Sequence, residues 1–284
     1  MKVLIFGLGQ LGTDLQSEFL LNGHDVAAYT KFGCDVTNYD QVKYVMKDTR
    51  ADLVINCAAM HHLPQCEAFP TESHLVNVTA ASRIAFLAAG MGMRHVFIST
   101  DQVFDGTKKF PYTERDHTCG LNVYAKDKAS AERVVYIFKG TYIVRTGCIF
   151  GGVGSKQKGG NFITKLLAAK GPVTMTTRGR ICASWSKDLA TGIREMVEKA
   201  PHGIYHLANF GSCNWFELAQ HVLGPERVVP TDSDPSGIRR PEFSVLDCTK
   251  AEKCGIILPS WKEGVDRYLD EIRHCHPELL QRQS

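Results

Sequence analysis

Tyr124 and Lys128 lie four residues apart in the run Asn122-Val123-Tyr124-Ala125-Lys126-Asp127-Lys128, a spacing that puts both side chains on one face of a helix. An ammonium beside a phenol favours the phenolate and lowers its pKa toward the working range, so such a pair can give and take a proton. The same spacing also arises where the ring merely packs and the amine is solvated, so the pair needs context. Upstream, Val96-Phe97-Ile98-Ser99-Thr100-Asp101 reads as an apolar strand ending in hydroxyls. Open α/β sheets hold their ligands at that carboxyl edge, where Thr100 can hydrogen-bond a carbonyl or a developing alkoxide.

The amino terminus supplies a second chemistry. Val3-Leu4-Ile5-Phe6-Gly7-Leu8-Gly9-Gln10-Leu11-Gly12 sets G-x-G-x-x-G directly after a continuously apolar strand and before a helix-compatible segment. Glycines there let the backbone turn tightly and approach a pyrophosphate seated at the helix N-terminus. The contacts expected from this loop come from Gly7, Gly9, Gln10, Leu11 and Gly12. An NAD site carries an acid about 20 residues farther on, to hold the ribose 2′-hydroxyl. Here the second strand ends in Tyr29-Thr30-Lys31, and a hydroxyl with a cation suits a 2′-phosphate instead. NADPH is therefore the expected cofactor, with NADH also admissible. Asp35 and Val36, in Cys34-Asp35-Val36-Thr37, are placed on a next short strand, near an adenine.

These residues must be positioned by alternating elements. Apolar runs at 3–6, 26–29, 53–56, 95–98 and 142–145 read as strands separated by amphipathic, helix-like stretches. That rhythm implies an α/β fold with a Rossmann-type doubly wound parallel sheet. The Gly-rich stretch 151–160 interrupts it as a flexible, functional loop. Beyond come a strand at 204–207 and helices near 215–223 and 263–273, read as a smaller, discontinuous α/β substrate domain. The expected division is a dinucleotide-binding domain at 1–150, with returning segments from the second half, and a mainly substrate-binding domain at 151–284.

With 284 residues, 44% hydrophobic and 22% charged, the chain can bury a substantial core. A net charge of +3 without basic runs gives no footprint for nucleic acid, and no apolar run reaches membrane-spanning length. Ten cysteines without a C-x-x-C pair read as packed, reduced thiols, so a soluble cytoplasmic protein is expected. His61, His62 and Cys66 match no common zinc spacing, and no metal is expected. Arg178, Arg239 and Arg240 are candidates for pairing with a diphosphate, which a guanidinium fork fits. His206 and Trp215 read as packing residues.

The chain resembles the dTDP-4-dehydrorhamnose reductase family along nearly its whole length. The resemblance is carried by Gly9-Gln10-Leu11-Gly12, Asn56-Cys57-Ala58-Ala59, Ser99-Thr100-Asp101 with Val103-Phe104-Asp105-Gly106, Leu121-Asn122-Val123-Tyr124 through Lys128, Arg145-Thr146, Asn161-Phe162, and Arg240-Pro241 with Ser244-Val245-Leu246-Asp247. It implies that Thr100, Tyr124 and Lys128 form a catalytic triad. It also implies that Asn77 lines the cofactor side and that Ala58 and Ala59 line the nicotinamide's path. Gln102, Phe104, Cys148, Asn161 and Arg240 are implied on the substrate side. Gln102 and Cys148 stand where the family usually carries aromatics, and the loop Gly7-Leu8-Gly9 is one residue shorter than usual. The resemblance thus implies NADPH-dependent reduction of the 4-keto group of a nucleotide-activated deoxysugar; a homodimer is the candidate assembly.

Two other functions share these motifs. One is a nucleotide-sugar 4,6-dehydratase or epimerase, but Gln102 replaces the glutamate of a dehydratase's Thr-Asp-Glu run, and an amide takes up no proton near neutrality. The other is a non-catalytic dinucleotide-binding regulatory subunit, like that of methionine adenosyltransferase. Thr30-Lys31 generates the first prediction: NADPH binds more tightly than NADH. Fluorescence titration of both cofactors checks it, and equal affinities or a preference for NADH would refute it.

Overall fold

A computed structural model describes residues 1–152, 160–233 and 237–277. In chain order the first half runs β1 (Lys2–Phe6), α1 (Gln10–Leu21), β2 (Asp25–Tyr29), α2 (Tyr39–Thr49), β3 (Leu53–Asn56), α3 (Leu63–Ala68) and α4 (Pro70–His74). A π-helical segment (Leu75–Ala80) then joins α5 (Ala81–Gly90), followed by β4 (Arg94–Ile98), α6 (Val123–Val135), β5 (Thr141–Arg145) and β6 (Cys148–Phe150). The second half adds α7 (Phe162–Ala168), β7 (Val173–Thr176), β8 (Ala183–Trp185), α8 (Ser186–Lys199), β9 (Gly203–His206), α9 (Trp215–Leu223), β10 (Val228–Thr231), α10 (Thr249–Glu252) and α11 (Trp261–Cys275).

Six strands form one parallel sheet in the order β2-β1-β3-β4-β5-β9. Its strands read as unbroken apolar runs because both faces are covered, and alternation shows only in which face each residue serves. Val3 and Ile5 of β1 pack with Leu11, Leu15 and Phe19 of α1 and Leu189, Ile193 and Met196 of α8. Leu4 and Phe6 turn the other way, onto Val42 and Met46 of α2 and Ile84 and Leu87 of α5. Farther along that face, Phe97 and Ile143 meet Ala131 and Val135 of α6. Thus α8 and β9, from the second half, complete the first sheet and its cover.

The remaining elements build a smaller body of two-stranded pairs, β6 with β8 and β7 with β10, over a core of Phe150, Ile163, Trp185, Leu218, Trp261 and Tyr268. The expected elements at 204–207, 215–223 and 263–273 fall on β9, α9 and α11. Two expectations differ. Cys34–Val36 forms no strand: Asp35 instead turns its carboxylate back onto the amide (2.9 Å) and hydroxyl (2.8 Å) of Thr37, a local side-chain turn that competes with sheet pairing. Of the loop expected at 151–160, residues 153–159 lie outside the described residues.

The sheet order reverses between β1 and β3, so helices leave in opposite directions there and a crevice opens at the carboxyl ends of those strands. Gly7 follows β1 with φ +92°, and a Cβ there would meet the Ala58 amide at 2.6 Å. A Cβ on Gly12 would sit 2.1 Å from the Gly7 carbonyl oxygen, so only glycine lets α1 begin this close to the strand. Gly9, between them, faces open space. Gly12→Ala is therefore expected to lower Tm by several degrees, from an overpacking cost of ~1–3 kcal/mol. Gly9→Ala should leave Tm unchanged yet weaken NADPH binding, because its added methyl occupies the space that a pyrophosphate would need. Thermal melts and cofactor titrations on the two variants separate these effects.

Candidate active site

Thr100 stands just past β4 and caps the short 3₁₀ turn Asp101–Val103, its hydroxyl accepting from the Gln102 amide at 3.3 Å. The same hydroxyl donates to Asp101 Oδ1 at 3.1 Å and lies within hydrogen-bonding reach of the Tyr124 phenol. Asp101 is held from its other side by the Ser244 hydroxyl, which donates to Oδ2 at 2.6 Å. Burial raises the Asp101 carboxyl to about 6, against these two hydrogen bonds, which favour its ionised form.

Helix α6 delivers Tyr124 in its first turn because its N-terminus is tightly capped. Asn122 Oδ1 accepts from the Ala125 amide at 2.9 Å, and Glu67 Oε1 accepts from the Val123 amide at 2.8 Å. The Asn122 amide nitrogen then donates to Gln102 Oε1 (3.3 Å) and to the Arg239 carbonyl (3.0 Å), tying the substrate-side segments to the same cap. One turn on, Lys128 is 1% exposed, its Nζ donating to the Ile98 carbonyl at 2.6 Å and lying 3.8 Å from the centre of the Phe97 ring.

Thr100, Tyr124 and Lys128 thus converge at the carboxyl edge of the sheet, beside the glycine turn. The electrostatics differ from the expectation that Lys128 lowers the Tyr124 pKa. Burial pushes the Tyr124 phenol up, the Asp101 carboxylate adds to that, and only the Thr100 hydrogen bond opposes it. The Lys128 ammonium is directed at a backbone carbonyl, and burial lowers it to about 7 despite the charge of Glu132 and the nearby Cys57 and Asp127. A protonated phenol is the form that an acid catalyst needs, so the site is poised to donate a proton to a nascent alkoxide.

Residues 1–274 match a family model described as RmlD substrate binding domain. The chain belongs to that family. A curated relative, the spore coat polysaccharide biosynthesis protein SpsK of Bacillus subtilis (strain 168), is 31% identical over 281 residues, spanning 95% of this chain and 97% of the relative. The dTDP-4-keto-6-deoxy-D-glucose reductase of Streptomyces niveus is 32% identical over 288 residues, spanning 96% and 93%. Among solved structures, the dTDP-4-dehydrorhamnose reductase of Bacillus anthracis in complex with NADP superposes with a TM-score of 0.89 at 28% identity, covering 95% of this chain and 99% of that one.

Other positions of this RmlD-family chain serve differently from what the sequence led us to expect. Asn77 is 1% exposed and brackets Met60, accepting from its amide at 3.0 Å and donating to its carbonyl at 2.9 Å; it fixes the loop after Ala59. It does so from the π-helical segment, a geometry that recurs at functional sites. Phe104 is fully buried and stacks on Tyr112 with ring centroids 4.1 Å apart, and Asn161 is buried as the cap of α7, bonded to Gly151 and Tyr268. Both side chains are buried in the protein interior. Leu11 packs into the core of the sheet, leaving only its backbone near the glycine turn.

Thr30 and Lys31 are exposed just past β2, and Lys31 lies 3.9 Å from Asp35. Gln10, Ala58, Ala59, Val36, Gln102, Cys148 and Arg240 are part-exposed around the crevice and the substrate side. Arg178 pairs with Glu242, whereas His61 and His62 are exposed and the Cys66 thiol donates to the Met60 carbonyl. His206 is wholly buried, lowered to about 3 by burial and by Arg145, and Trp215 packs on Phe162. Sequence reasoning missed Asn122 as the shared cap and Glu132, one turn beyond Lys128. The spacing Tyr124, Lys128, Glu132 was a legible signal for the latter, since it continues one helix face.

Tyr124→Phe keeps the ring and its packing but removes the transferable proton. Turnover with a ketosugar should fall about 10²–10⁴-fold while the Kd for NADPH changes little. Lys128→Ala should weaken both. Steady-state rates with cofactor titrations check this, and near-full turnover in Tyr124→Phe would show that another group delivers the proton.

Proposed function

We propose that this chain uses NADPH to reduce the 4-keto group of a nucleotide-activated deoxysugar. The observation that carries the proposal is the convergence of Thr100, Tyr124 and Lys128 beside a glycine turn shaped for a pyrophosphate. The dinucleotide fits what the chain offers: α1 begins just after Gly9 with no side-chain cap on its first amides, and among the described residues nothing beyond the chain neighbours stands within 4 Å of a Cβ at Gly9. Thr30 and Lys31 would hold a 2′-phosphate. Relatives named for reduction of dTDP-linked 4-keto sugars, and one solved with NADP, support the same reading.

When bound, the reduced nicotinamide supplies hydride to the sugar's carbonyl carbon. This chain's residues do the rest. Thr100 orients the carbonyl oxygen, and the Tyr124 phenol gives its proton to that oxygen as negative charge gathers there. Lys128, one turn along α6 from the phenol, would donate to the nicotinamide ribose when the cofactor is bound. Gln102 and Arg240 are assigned to the substrate, with residues 1–150 forming the dinucleotide-binding part and 151–284 mainly the substrate part. The enzyme is assigned to the cytoplasm, consistent with the lack, among the described residues, of any helix long and apolar enough to cross a membrane.

Gln102 and Cys148 offer no aromatic face to the sugar. NADPH oxidation measured against dTDP-, GDP- and CDP-linked 4-ketosugars should give turnover with at least one, and the best substrate should be a sugar other than dTDP-4-dehydrorhamnose. A best rate with dTDP-4-dehydrorhamnose would remove the specificity argument. NADPH binding without turnover on any of them, together with copurification with a synthetase, would favour a regulatory subunit.

A further inference from the structure

Behind the catalytic residues lies a buried ionic cluster that the proposed proton transfer does not use. Glu132 and Arg145 are 4% and 3% exposed, and they pair side-on through one guanidinium edge: Nε lies 3.0 and 3.1 Å from the two carboxylate oxygens, and Nη2 lies 2.7 Å from Oε2. The Ser99 hydroxyl donates to Glu132 Oε1 at 2.5 Å. Arg145 is further placed by the Glu114 carbonyl (3.4 Å), His206 Nε2 (3.4 Å) and the Phe104 ring (5.1 Å to centroid). One carboxylate therefore joins three elements: α6 carries it, Ser99 is the residue before Thr100 at the end of β4, and Arg145 ends β5.

We propose that Glu132 is a positioning residue of this site, fixing α6 against the ends of β4 and β5 and so setting where Tyr124 and Lys128 stand relative to Thr100. The geometry gives it that leverage. Tyr124, Lys128 and Glu132 follow one another at four-residue steps along α6, so a bond at Glu132 anchors the face that carries the other two. Ser99 is adjacent to Thr100, so the same bond fixes the hydroxyl's backbone. The carboxylate also supports the Lys128 ammonium. The groups acting on Lys128 are Asp127 and Glu132 on α6, Cys57 just past β3, and the Ile98 carbonyl and Phe97 ring of β4. Of the acids among them, Glu132 has the largest effect. A purely structural ion pair would stabilise the fold without touching the titration of Lys128.

The inference rests on the reductase reading for turnover but not for titration, and its test keeps the two apart. The full-length protein, labelled at lysine ε-carbon, is titrated by NMR without cofactor, and kcat and KM are then measured with NADPH and whichever ketosugar is turned over. The Lys128 ammonium is the form present below its midpoint near 7 and is lost as pH rises. Removing a neighbouring anion moves that midpoint down. Glu132→Gln is expected to shift it by about 1 pH unit or more, the scale set by an opposite charge at close range. Glu132→Asp, which restores the charge, should bring it back toward the wild-type value. Ser99→Ala breaks one bond without changing charge: its Lys128 midpoint should hold while kcat falls roughly tenfold or more and KM for NADPH stays put. A Glu132→Gln protein with a lowered Tm but wild-type Lys128 titration overturns the inference. If Glu132→Gln does not fold, wild-type kcat in Ser99→Ala overturns it. If no ketosugar is turned over at all, the reductase reading has failed and the titration alone decides.

Discussion

The reversal of strand order between β1 and β3 is the constraint on which the site depends. Parallel strands need crossovers that run over the faces of the sheet, and at the reversal successive crossovers depart on opposite sides. The crevice opens at the carboxyl ends of β1 and β3, and the functional segments gather around it. Gly7 turns away from β1 against the Ala58 amide, α1 starts over the Gly7 carbonyl, and Thr100 emerges beside them from β4. The sheet is buried on both faces, so these strand ends are held by packing throughout the core and not by loop contacts alone.

Burial around this edge governs the chemistry. A charged group removed from water is costly, so each ionisable side chain in the crevice is driven toward its neutral form unless a partner compensates. Tyr124 is kept protonated and Lys128 is brought down to about 7, while Asp101 is raised to about 6 although two hydroxyls serve it. Glu132, by contrast, is matched by the Nε–Nη2 edge of Arg145 and the Ser99 hydroxyl. The same low-dielectric setting that makes an unpaired charge expensive makes this satisfied cluster a firm joint between helix and sheet.

Much of the fold was legible because its signals are local or periodic. Continuous apolar runs bounded by turns located the strands of the parallel sheet, and the glycine pattern after β1 located the start of α1. Thr100, Tyr124 and Lys128 could be assembled because each sits at a recognisable place, a strand end or one helix face. The strand expected at Cys34–Val36 failed because Asp35 prefers a turn with Thr37 that period-two reasoning does not register. Phe104 and Asn161, expected on the substrate side, turn their side chains into the interior for a different reason. Their motif positions lie close to the substrate segments, but which way a side chain points there depends on Tyr112, Gly151 and Tyr268, which are distant from their partners or approach from another element.

By itself the sequence determined the α/β alternation, the phosphate-compatible turn and the placing of Tyr124 and Lys128 on one helix face, since these depend on residue type and short spacing. Only the tertiary structure decided how those groups are charged and held. The Asp101–Ser244 bond spans 143 residues and the Asn122–Arg239 bond spans 117, and the Glu132 carboxylate is shared between strand ends that meet only in the folded sheet. Desolvation and long-range pairing exist only once the chain has closed around them, so the pKa of Tyr124, the setting of Lys128 and the bracket of Asn77 about Met60 are properties of the fold.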